Sequence, residues 1–219
     1  MDGMTIQDGI EIVPRWEWRT FATSLDRIED RIAAILGRVE PRTSAEIYIL
    51  RLGGPQNAKI RNDVLDVKHL RRVDAAGLEL WEPVLKAKFP LSRGDVVAAF
   101  AELDLPPPKL GRETHTIEQF INELIAAQPL LRAARVVKSR RDFRLAGCTA
   151  EVVHLSVESL HLESFSLEHE EAGCILEALC DLSLITVPNT NYPQALKRAL
   201  GLDDEDRNYR QGATHGSRN

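Results

Sequence analysis

Several segments of the chain alternate between charged and apolar residues with a period of two, as β-strands do. Segment 15–19, Arg-Trp-Glu-Trp-Arg, places three charged side chains on one face and two tryptophans on the other. The alternation recurs at the pairs Lys59/Arg61, Asp66/Lys68, Lys86/Lys88, Lys138/Arg140 and Glu168/Glu170. One such strand is typical of any solvent-facing sheet, whereas this many predict a sheet with an apolar face packed on helices and a charged concave face.

Other stretches place apolar residues at helical spacing. After Ser24, apolar residues recur at positions 25, 28, 32, 35 and 36, and Gly37 follows, which predicts an amphipathic helix. Further helices are predicted from Ser92 or Asp95 to Leu103, over residues 116–125, over Glu171–Leu182, and from Asn191 or Pro193 to Gly201. The predicted strands are residues 11–21, Ala45–Leu52, Lys59–Arg61, Val64–Leu70, Leu78–Trp81, Pro83–Phe89, Ala134–Leu145, Thr149–Ser159 and Leu160–His169.

The order of these elements predicts an α+β fold. Two groups of mostly antiparallel strands are separated and flanked by helices, which favours a curved or closed sheet, a tunnel barrel with a charged interior and helices outside. A flat sheet with one solvent-exposed face would give almost the same alternation of charged and apolar residues. We expect a single domain over residues 11–202, in two halves that meet near residues 105–115 at a run of three prolines, with flexible tails at 1–10 and 203–219.

Composition narrows the class of protein. The 219 residues are 43% hydrophobic and 28% charged, as in soluble globular proteins. The net charge of -5 argues against nucleic-acid binding by a basic surface, so the basic residues matter locally. No apolar run approaches the roughly 18 residues of a membrane span. The three cysteines show no metal-ligand spacing, and together with the absence of an apolar signal core they favour a cytoplasmic protein with reduced thiols.

The charged motifs follow one another in a characteristic order. The order begins with Arg15-x-Glu17-x-Arg19, Lys59-x-Arg61 and segment 65–68, Leu-Asp-Val-Lys. It continues with segment 137–143, Val-Lys-Ser-Arg-Arg-Asp-Phe, a turn at Ala146-Gly147, an acidic strand from Glu151, Glu168-x-Glu170 before a predicted helix, and segment 191–196, Asn-Tyr-Pro-Gln-Ala-Leu. Over residues 11–202 this order resembles the CYTH superfamily, also called the triphosphate tunnel metalloenzymes.

The resemblance implies an antiparallel tunnel, a divalent metal ion, usually magnesium or manganese, and a substrate that bears a triphosphate. The family's activities include hydrolysis of inorganic or thiamine triphosphate, RNA triphosphatase activity and one class of adenylate cyclase. The sequence departs from the family's opening Glu-x-Glu-x-Lys motif, with Arg15 at the first acid and Arg19 at the lysine. Because arginine stays protonated and cannot ligate a cation, metal ligation by this strand would fall to Glu17 alone.

Basic side chains of these motifs are the candidates for binding phosphate. A triphosphate carries about four negative charges, so several convergent Lys and Arg groups are needed to hold it in place of water. The candidates are Arg19, Lys59, Arg61, Lys68, Lys138 and Arg140, with Lys86 and Lys88 behind them. The alternative is that these side chains line a solvated face of the sheet.

The candidates for a metal site are Glu17, Glu151, Glu168 and Glu170. Carboxylates that hold Mg²⁺ or Mn²⁺ leave other positions to phosphate oxygens and water, which is the chemistry that phosphoryl transfer needs. Glu168 or Glu170 is the candidate catalytic residue that orients the attacking water. Alternatively, Glu168 and Glu170 are the acidic start of the next helix, and Glu17 pairs with Arg15 or Arg19.

Histidines and tryptophans allow two further interpretations. His161 and Glu163 share a strand face and could form a transition-metal site with His154, although scattered surface histidines are commoner. The tryptophans at positions 16, 18 and 81 could stack on bases, but on the apolar side of a strand they are more often core residues. No glycine-rich phosphate loop is present, so phosphate would be bound by side chains.

The sequence therefore predicts a metal-dependent hydrolase of a triphosphate or polyphosphate. Arg15 motivates the alternative of a non-catalytic binder of an anionic phosphorylated metabolite. A third interpretation is an interaction protein in which segment 78–85 contacts a partner. Adenylate cyclase activity is less favoured, because no motif that reads adenine is evident. We expect a phosphorylated small molecule or a polyphosphate as ligand, no membrane or nucleic-acid partner, and a homodimer as a possible assembly.

Overall fold

A computed structural model describes residues 13–36 and 39–202, together with the backbone of two paired strands, Ile6–Gln7 and Ile10–Glu11. Apart from those short strands, the tails predicted to be flexible, residues 1–10 and 203–219, lie outside the described residues. Among the helices of the described part of the chain, none has the length and apolar character needed to cross a bilayer.

Within the described residues, antiparallel strands close into an eight-stranded barrel. The strands are β1 (Arg15–Ala22), β2 (Arg42–Arg51), β3 (Asn57–Arg61), β4 (Val64–Val73), β5 (Glu79–Lys88), β6 (Leu131–Leu145), β7 (Cys148–Val157) and β8 (Leu160–His169). Around the barrel the order is β6-β7-β8-β1-β5-β4-β3-β2, and β2 pairs with β6. The predicted α+β fold with a closed antiparallel sheet is confirmed, and strands from both sides of residues 105–115 belong to it.

The helices lie outside this barrel or across its end. They are α1 (Asp26–Leu36), α2 (Arg93–Glu102), α3 (Ile117–Gln119), α4 (Ala172–Asp181) and α5 (Tyr192–Ala199), and α3 continues as a π-helix over Phe120–Ile125. Side-chain caps explain three of the starts. Ser92 and Thr116 form capping boxes at α2 and α3, and Asn191 accepts a hydrogen bond from the third residue of α5.

Alternation along β1 shows how the sequence sorts its side chains between the two faces of the barrel. Trp16 and Trp18 point outward into an apolar cluster with α1 and α4. Arg15, Glu17 and Arg19 point inward and line the interior. Because successive side chains of a strand alternate between faces, burial of the two tryptophans fixes the three charged residues inside.

Two apolar clusters attach the helices to the outer wall of the barrel. One cluster lies between β2–β5 and helices α2 and α3, with Phe100 and Phe120 fully buried. The other lies between β1, β7, β8 and helices α1 and α4, with Phe165 and Ile175 at its centre. The helices therefore cover the apolar outer face and leave the interior to charged residues.

A third apolar cluster closes one end of the interior. It joins inward side chains of β2, β6 and β7, such as Leu50 and Val136, to Tyr192 and Leu196 of α5. Lys197, on the same helix, donates from Nζ to the Gly54 carbonyl at 3.0 Å, which fastens the helix to the loop after β2. The interior is therefore a cup that α5 closes at its inner end.

Strand β5 differs from the prediction of two short strands. Residues 79–88 form one strand, and its pairing with β4 shifts register between Val67 and Lys68 and again between Leu70 and Arg72. Pro83, which lacks a backbone N–H donor, pairs with Lys68 beside the first shift. A proline is tolerated in a strand at such an irregularity, so it does not end the strand.

Candidate functional site

The barrel interior contains a cavity of about 360 Å³. Binding sites for small molecules typically have volumes of about 300–1,000 Å³. The basic side chains that line it are Arg15, Arg19, Lys59, Arg61, Lys68, Lys86, Lys138 and Arg140, and the acidic ones are Glu17, Asp66, Glu151 and Glu168. Among the described lining residues, eight basic groups thus face four acidic ones, an arrangement that favours an anionic ligand.

Most residues that the sequence singled out converge in this cavity. All six predicted phosphate-binding residues line it, as do the predicted metal ligands Glu17, Glu151 and Glu168. Glu170 does not line it, but lies exposed after β8 with its Oε1 3.8 Å from the NH2 of Arg15. The roles of these residues stay predictions, whereas their convergence is a feature of the structure.

Stacked tyrosines form the inner end of the cavity. The rings of Tyr48 and Tyr192 lie 5.2 Å apart and nearly parallel, and the Phe21 ring meets Tyr192 edge-on. The Nζ of Lys138 lies 3.8 Å from the centre of the Tyr192 ring, and the Arg19 guanidinium carbon lies 4.5 Å from it. These contacts hold the head groups of Arg19 and Lys138 against the aromatic inner end of the cavity.

Strands β1, β2, β6 and β7 form one side of the cavity, which we call the paired wall and define by Glu17, Arg19, Glu46, Lys138, Arg140 and Glu151. Arg19 donates to Glu17 at 2.8 Å and to Ser164 at 2.9 Å, and its NH1 lies 3.3 Å from Glu151. Burial would lower the pKa of Arg19, but the neighbouring Glu17 helps to raise it above its usual value. The guanidinium is therefore charged and held by protein groups.

Glu46, which was not singled out from the sequence, is the centre of the paired wall. Its side chain is fully buried, with Lys138 Nζ 3.0 Å and Arg140 NH2 2.8 Å from its two oxygens. Arg61 NH1 and Lys59 Nζ approach the same carboxylate at 3.6 Å and 3.9 Å. The signal that could have found Glu46 is its place in β2, two residues before the inward-facing Tyr48 and therefore on the same face.

The carboxylate of Glu46 and the ammonium of Lys138 have strongly shifted pKa values. Burial would raise the pKa of Glu46, but Lys138 and Lys59 outweigh it and lower the pKa to about 2. Burial lowers the pKa of Lys138 to about 7, although Glu46 acts in the opposite direction. Glu46 is therefore ionised at any physiological pH, whereas the charge of Lys138 changes near neutrality.

Strands β3, β4 and β5 form another side of the cavity, which we call the open wall and define by Lys59, Arg61, Asp66, Lys68 and Lys86. Within the described residues, the side chain of Lys68 makes no hydrogen bond or ion pair, and the buried Oδ1 of Asp66 has no hydrogen-bond partner. Lys59 and Arg61 reach Glu46 only at the long distances given above. The ammonium of Lys68 and the Oδ1 of Asp66 are therefore available to a ligand.

Three glutamates lie side by side across neighbouring strands. Glu79 of β5 pairs directly with Glu17 of β1, which pairs directly with Glu168 of β8. Like charges directly opposite each other on a sheet destabilise it unless other groups compensate. Burial raises the pKa of Glu79, although it accepts hydrogen bonds from Asn191 at 2.9 Å and Trp81 at 3.1 Å that act in the opposite direction.

The side chain of Glu168 differs from those of Glu79 and Glu17, because it forms no hydrogen bond or ion pair with the described residues, although it lines the cavity. Burial raises the pKa of Glu168, and the nearby Glu17 raises it further. A cation placed between Glu168 and Glu17 would relieve both effects.

The carboxylates of Glu17 and Glu168 fit a single Mg²⁺ or Mn²⁺ ion. Magnesium sites are commonly built from one or two carboxylates, waters and substrate phosphates. Glu151 is less available, because Arg19 lies 3.3 Å from its Oε1 and Arg140 lies 3.5 Å from its Oε2. Glu17 contacts Arg19 at 2.8 Å through its Oε1 alone. The fit therefore rests on two glutamates.

Trp81 is a buried core residue as predicted, with 2% of its surface exposed, and it also lines the cavity. Its partner on β1 is Arg15, whose side chain faces inward, and directly paired residues of antiparallel strands share a face. Trp16 and Trp18 are core residues as predicted. The register of β5 against β1, which decides the face of Trp81, is a tertiary feature that its own alternation does not reveal.

A second group of charged residues lies outside the barrel. Within the described residues, Glu29, His154 and Glu163 are the one group of three possible ligands whose atoms lie within 4.8 Å of one another. Arg141 already donates to Glu29 at 2.6 Å, and the two imidazole nitrogens of His154 face different carboxylates. His161 adds no ligand atom to the group. The arrangement fits an ion-pair cluster that holds α1 against the barrel. It fits the transition-metal site considered from the sequence less well.

Comparisons with known proteins give distant similarities in structure. No family model matches the sequence, and no curated protein matches it. A Bacillus halodurans protein described as a candidate adenylate cyclase is 12% identical, covering 82% of this chain and 96% of its own, with a TM-score of 0.48. A conserved hypothetical protein from Pyrococcus furiosus is 17% identical, covering 82% and 98%, with a TM-score of 0.48. A Hippeastrum protein described as a candidate adenylyl cyclase with dominant triphosphatase activity is 11% identical, covering 78% and 88%, with a TM-score of 0.39.

These similarities are too distant to assign a family or an activity to this chain. The resemblance to the CYTH superfamily therefore stays an interpretation of the charged motifs and the barrel.

Proposed function

We propose that this protein binds a triphosphate or polyphosphate in the barrel cavity and hydrolyses it with Mg²⁺ or Mn²⁺. One observation carries the proposal: the cavity combines the ammonium of Lys68, which makes no hydrogen bond or ion pair with the described residues, with the carboxylate of Glu168, whose pKa is raised by burial and by Glu17. Phosphoryl transfer needs positive charge around the phosphates and a held metal ion, and these two features would supply them.

Binding of the phosphate chain falls mainly to the open wall. Lys59, Arg61 and Lys68 would replace water around the phosphate oxygens, since their ammonium and guanidinium groups are not committed to short protein contacts. Arg19, Lys138 and Arg140 contribute charge from the paired wall, where protein acceptors already hold them. The predicted phosphate-binding set thus divides into ligand contacts and supporting charges.

Glu17 and Glu168 would hold the metal ion beside the phosphate chain. A bound Mg²⁺ would neutralise phosphate charge and favour deprotonation of a coordinated water. Of the two glutamates predicted to be catalytic, Glu168 faces the cavity and Glu170 lies at its rim, so we assign orientation of the attacking water to Glu168. In-line attack of that water on a terminal phosphorus would release inorganic phosphate.

Phosphate release from tripolyphosphate, ATP and thiamine triphosphate, each with Mg²⁺ or Mn²⁺, tests this proposal. We expect release from at least one substrate, loss of release with a chelator, and loss in Glu168→Gln. The matched control is Glu163→Gln, which removes a carboxylate from the same strand outside the cavity. Folded wild-type protein that releases no phosphate from any of the three would refute hydrolysis.

A second candidate function is metal-independent binding of a phosphorylated metabolite. Arg15 favours it, because this cation lines the cavity where the family pattern expects an acid, and it lies 3.8 Å from the Glu170 carboxylate. Calorimetry with tripolyphosphate in the presence of a chelator separates the two functions. Binding that is unchanged by the chelator, without turnover when metal is added, would support the second function.

A further inference from the structure

The carboxylate of Glu46 occupies an unusual position within the basic cavity. It is the acidic group that four of the cavity's cations approach within 4.0 Å, and its side chain has no exposed area. These cations come from two strands, Lys59 and Arg61 from β3 and Lys138 and Arg140 from β6. A buried anion therefore already sits behind the surface that would receive the phosphate chain.

The contacts of Glu46 are of two kinds. Arg140 donates a hydrogen bond at 2.8 Å and Lys138 lies at 3.0 Å, so these two cations are held closely. Lys59 and Arg61 lie at 3.9 Å and 3.6 Å, beyond the usual range of a charge-assisted hydrogen bond. They are also the more exposed pair, since their side chains are 18% and 38% accessible against 4% for Lys138 and 14% for Arg140.

We propose that Glu46 is an internal counter-anion that weakens the cavity's hold on its phosphate ligand, so that the ligand or its product can leave. The inference rests on the proposed function, because it concerns the affinity of the same site. With the cavity empty, Glu46 attracts Lys59 and Arg61; when phosphate is bound, these cations are shared between two anions. Glu46 also repels the phosphate charges directly.

If Glu46 has this role, removal of its charge should strengthen ligand binding, whereas a substitution that only disturbs the structure should weaken it. Replacement of Glu46 by glutamine keeps the size of the side chain but removes one negative charge beside the bound phosphates. At the separations within one small cavity, the loss of this repulsion should tighten binding by about tenfold. A purely structural role predicts weaker binding instead, because disordered cations bind less well.

Calorimetry with tripolyphosphate, in the presence of a chelator and at pH 6, where Lys138 is protonated, tests the inference. We expect Glu46→Gln to bind about tenfold more tightly than the wild-type protein, with slower dissociation in stopped-flow measurements. Glu46→Asp keeps the charge and should bind within about twofold of wild type. Equal or weaker binding by folded Glu46→Gln, with normal binding by wild type, overturns the inference and leaves the proposed function standing.

A second pair of variants keeps the test decisive if Glu46→Gln alone does not fold. Lys59→Gln removes one cation, and Glu46→Gln with Lys59→Gln restores the wild-type balance of charge. The double variant should bind tripolyphosphate about tenfold more tightly than Lys59→Gln alone. A double variant that binds no better than Lys59→Gln overturns the inference, and a wild-type protein that does not bind tripolyphosphate refutes the proposed function together with it.

Discussion

The two walls of the cavity contain similar residues but differ in how their charges are satisfied. On the paired wall, Arg19 and Arg140 donate hydrogen bonds to buried or half-buried carboxylates, and their geometry is set before any ligand arrives. On the open wall, the side chain of Lys68 has no hydrogen bond or ion pair within the described residues. The contrast teaches that lysines and arginines of one cavity divide into those that hold the barrel together and those that can bind.

The largest effect should come from breaking the paired wall at Arg19. Arg19→Ala leaves the largely buried Glu17 without its cation and Glu151 with Arg140 alone, so we expect the free energy of unfolding to fall by about 3–5 kcal/mol. Urea denaturation measures this loss. Lys68→Ala is the matched control on the open wall and should change stability by less than about 1 kcal/mol. Equal losses for the two variants would abolish the distinction between the walls.

The next effect is a dependence of stability on acid pH through Glu46. Its pKa is about 2 in the folded protein and 4.5 in its ordinary state, so its stabilising contribution is present above pH 4.5 and lost as the pH falls towards 2. The shift corresponds to about 3 kcal/mol. Urea denaturation between pH 5.5 and 2.5 measures it, and Glu46→Gln should show a shallower decline. Parallel declines in the two proteins would contradict the assigned pKa of Glu46.

A smaller effect should come from the open wall, and it concerns binding. Lys68→Ala removes a cation that is available to the ligand, so tripolyphosphate should bind about tenfold more weakly while stability stays close to wild type. Calorimetry measures the affinity. Lys88→Ala is the control, because Lys88 belongs to β5 but is exposed outside the cavity. If both lysine variants lost affinity equally, long-range charge would explain the result better than the open wall.

The last effect on stability concerns Glu168 of β8, the strand between β7 and β1 of the paired wall. Its pKa is raised by burial and by Glu17, so its charged form destabilises the fold, and stability should decline as the pH rises through this raised pKa. Glu168→Gln should therefore raise the free energy of unfolding at pH 7 while abolishing metal-dependent phosphate release. A variant that is both less stable and fully active would remove Glu168 from the proposed site.

The sequence predicted the inward charges wherever a strand also carried bulky apolar residues on its other face. Trp16 and Trp18 had to be buried under helices, and this fixed the positions of Glu17 and Arg19. The same logic held for Lys59 of β3, whose neighbours Ala58 and Ile60 lie in the outer core. Local alternation was sufficient in these strands, because a shift of the strand register by one residue would have removed their apolar side chains from the core under the helices.

The features that the sequence did not predict depend on contacts between distant strands. Glu46 is a single acid in an apolar strand, and only the closure of β2 onto β6 brings it to Lys138 and Arg140. Glu79 and Trp81 face inward through the register of β5 against β1. The two walls differ in how their basic side chains are paired with carboxylates. Most of these pairs also join residues that are far apart in the chain, so the sequence does not reveal them.

The most direct test of this account is a crystal structure of the wild-type protein with tripolyphosphate and Mn²⁺. We predict phosphate oxygens within hydrogen-bond distance of Lys59, Arg61 and Lys68, and a manganese ion held by Glu17 and Glu168. Tripolyphosphate bound outside the barrel, or bound within it only through Arg19 and Arg140, would contradict the central claim that the open wall is the ligand-binding surface.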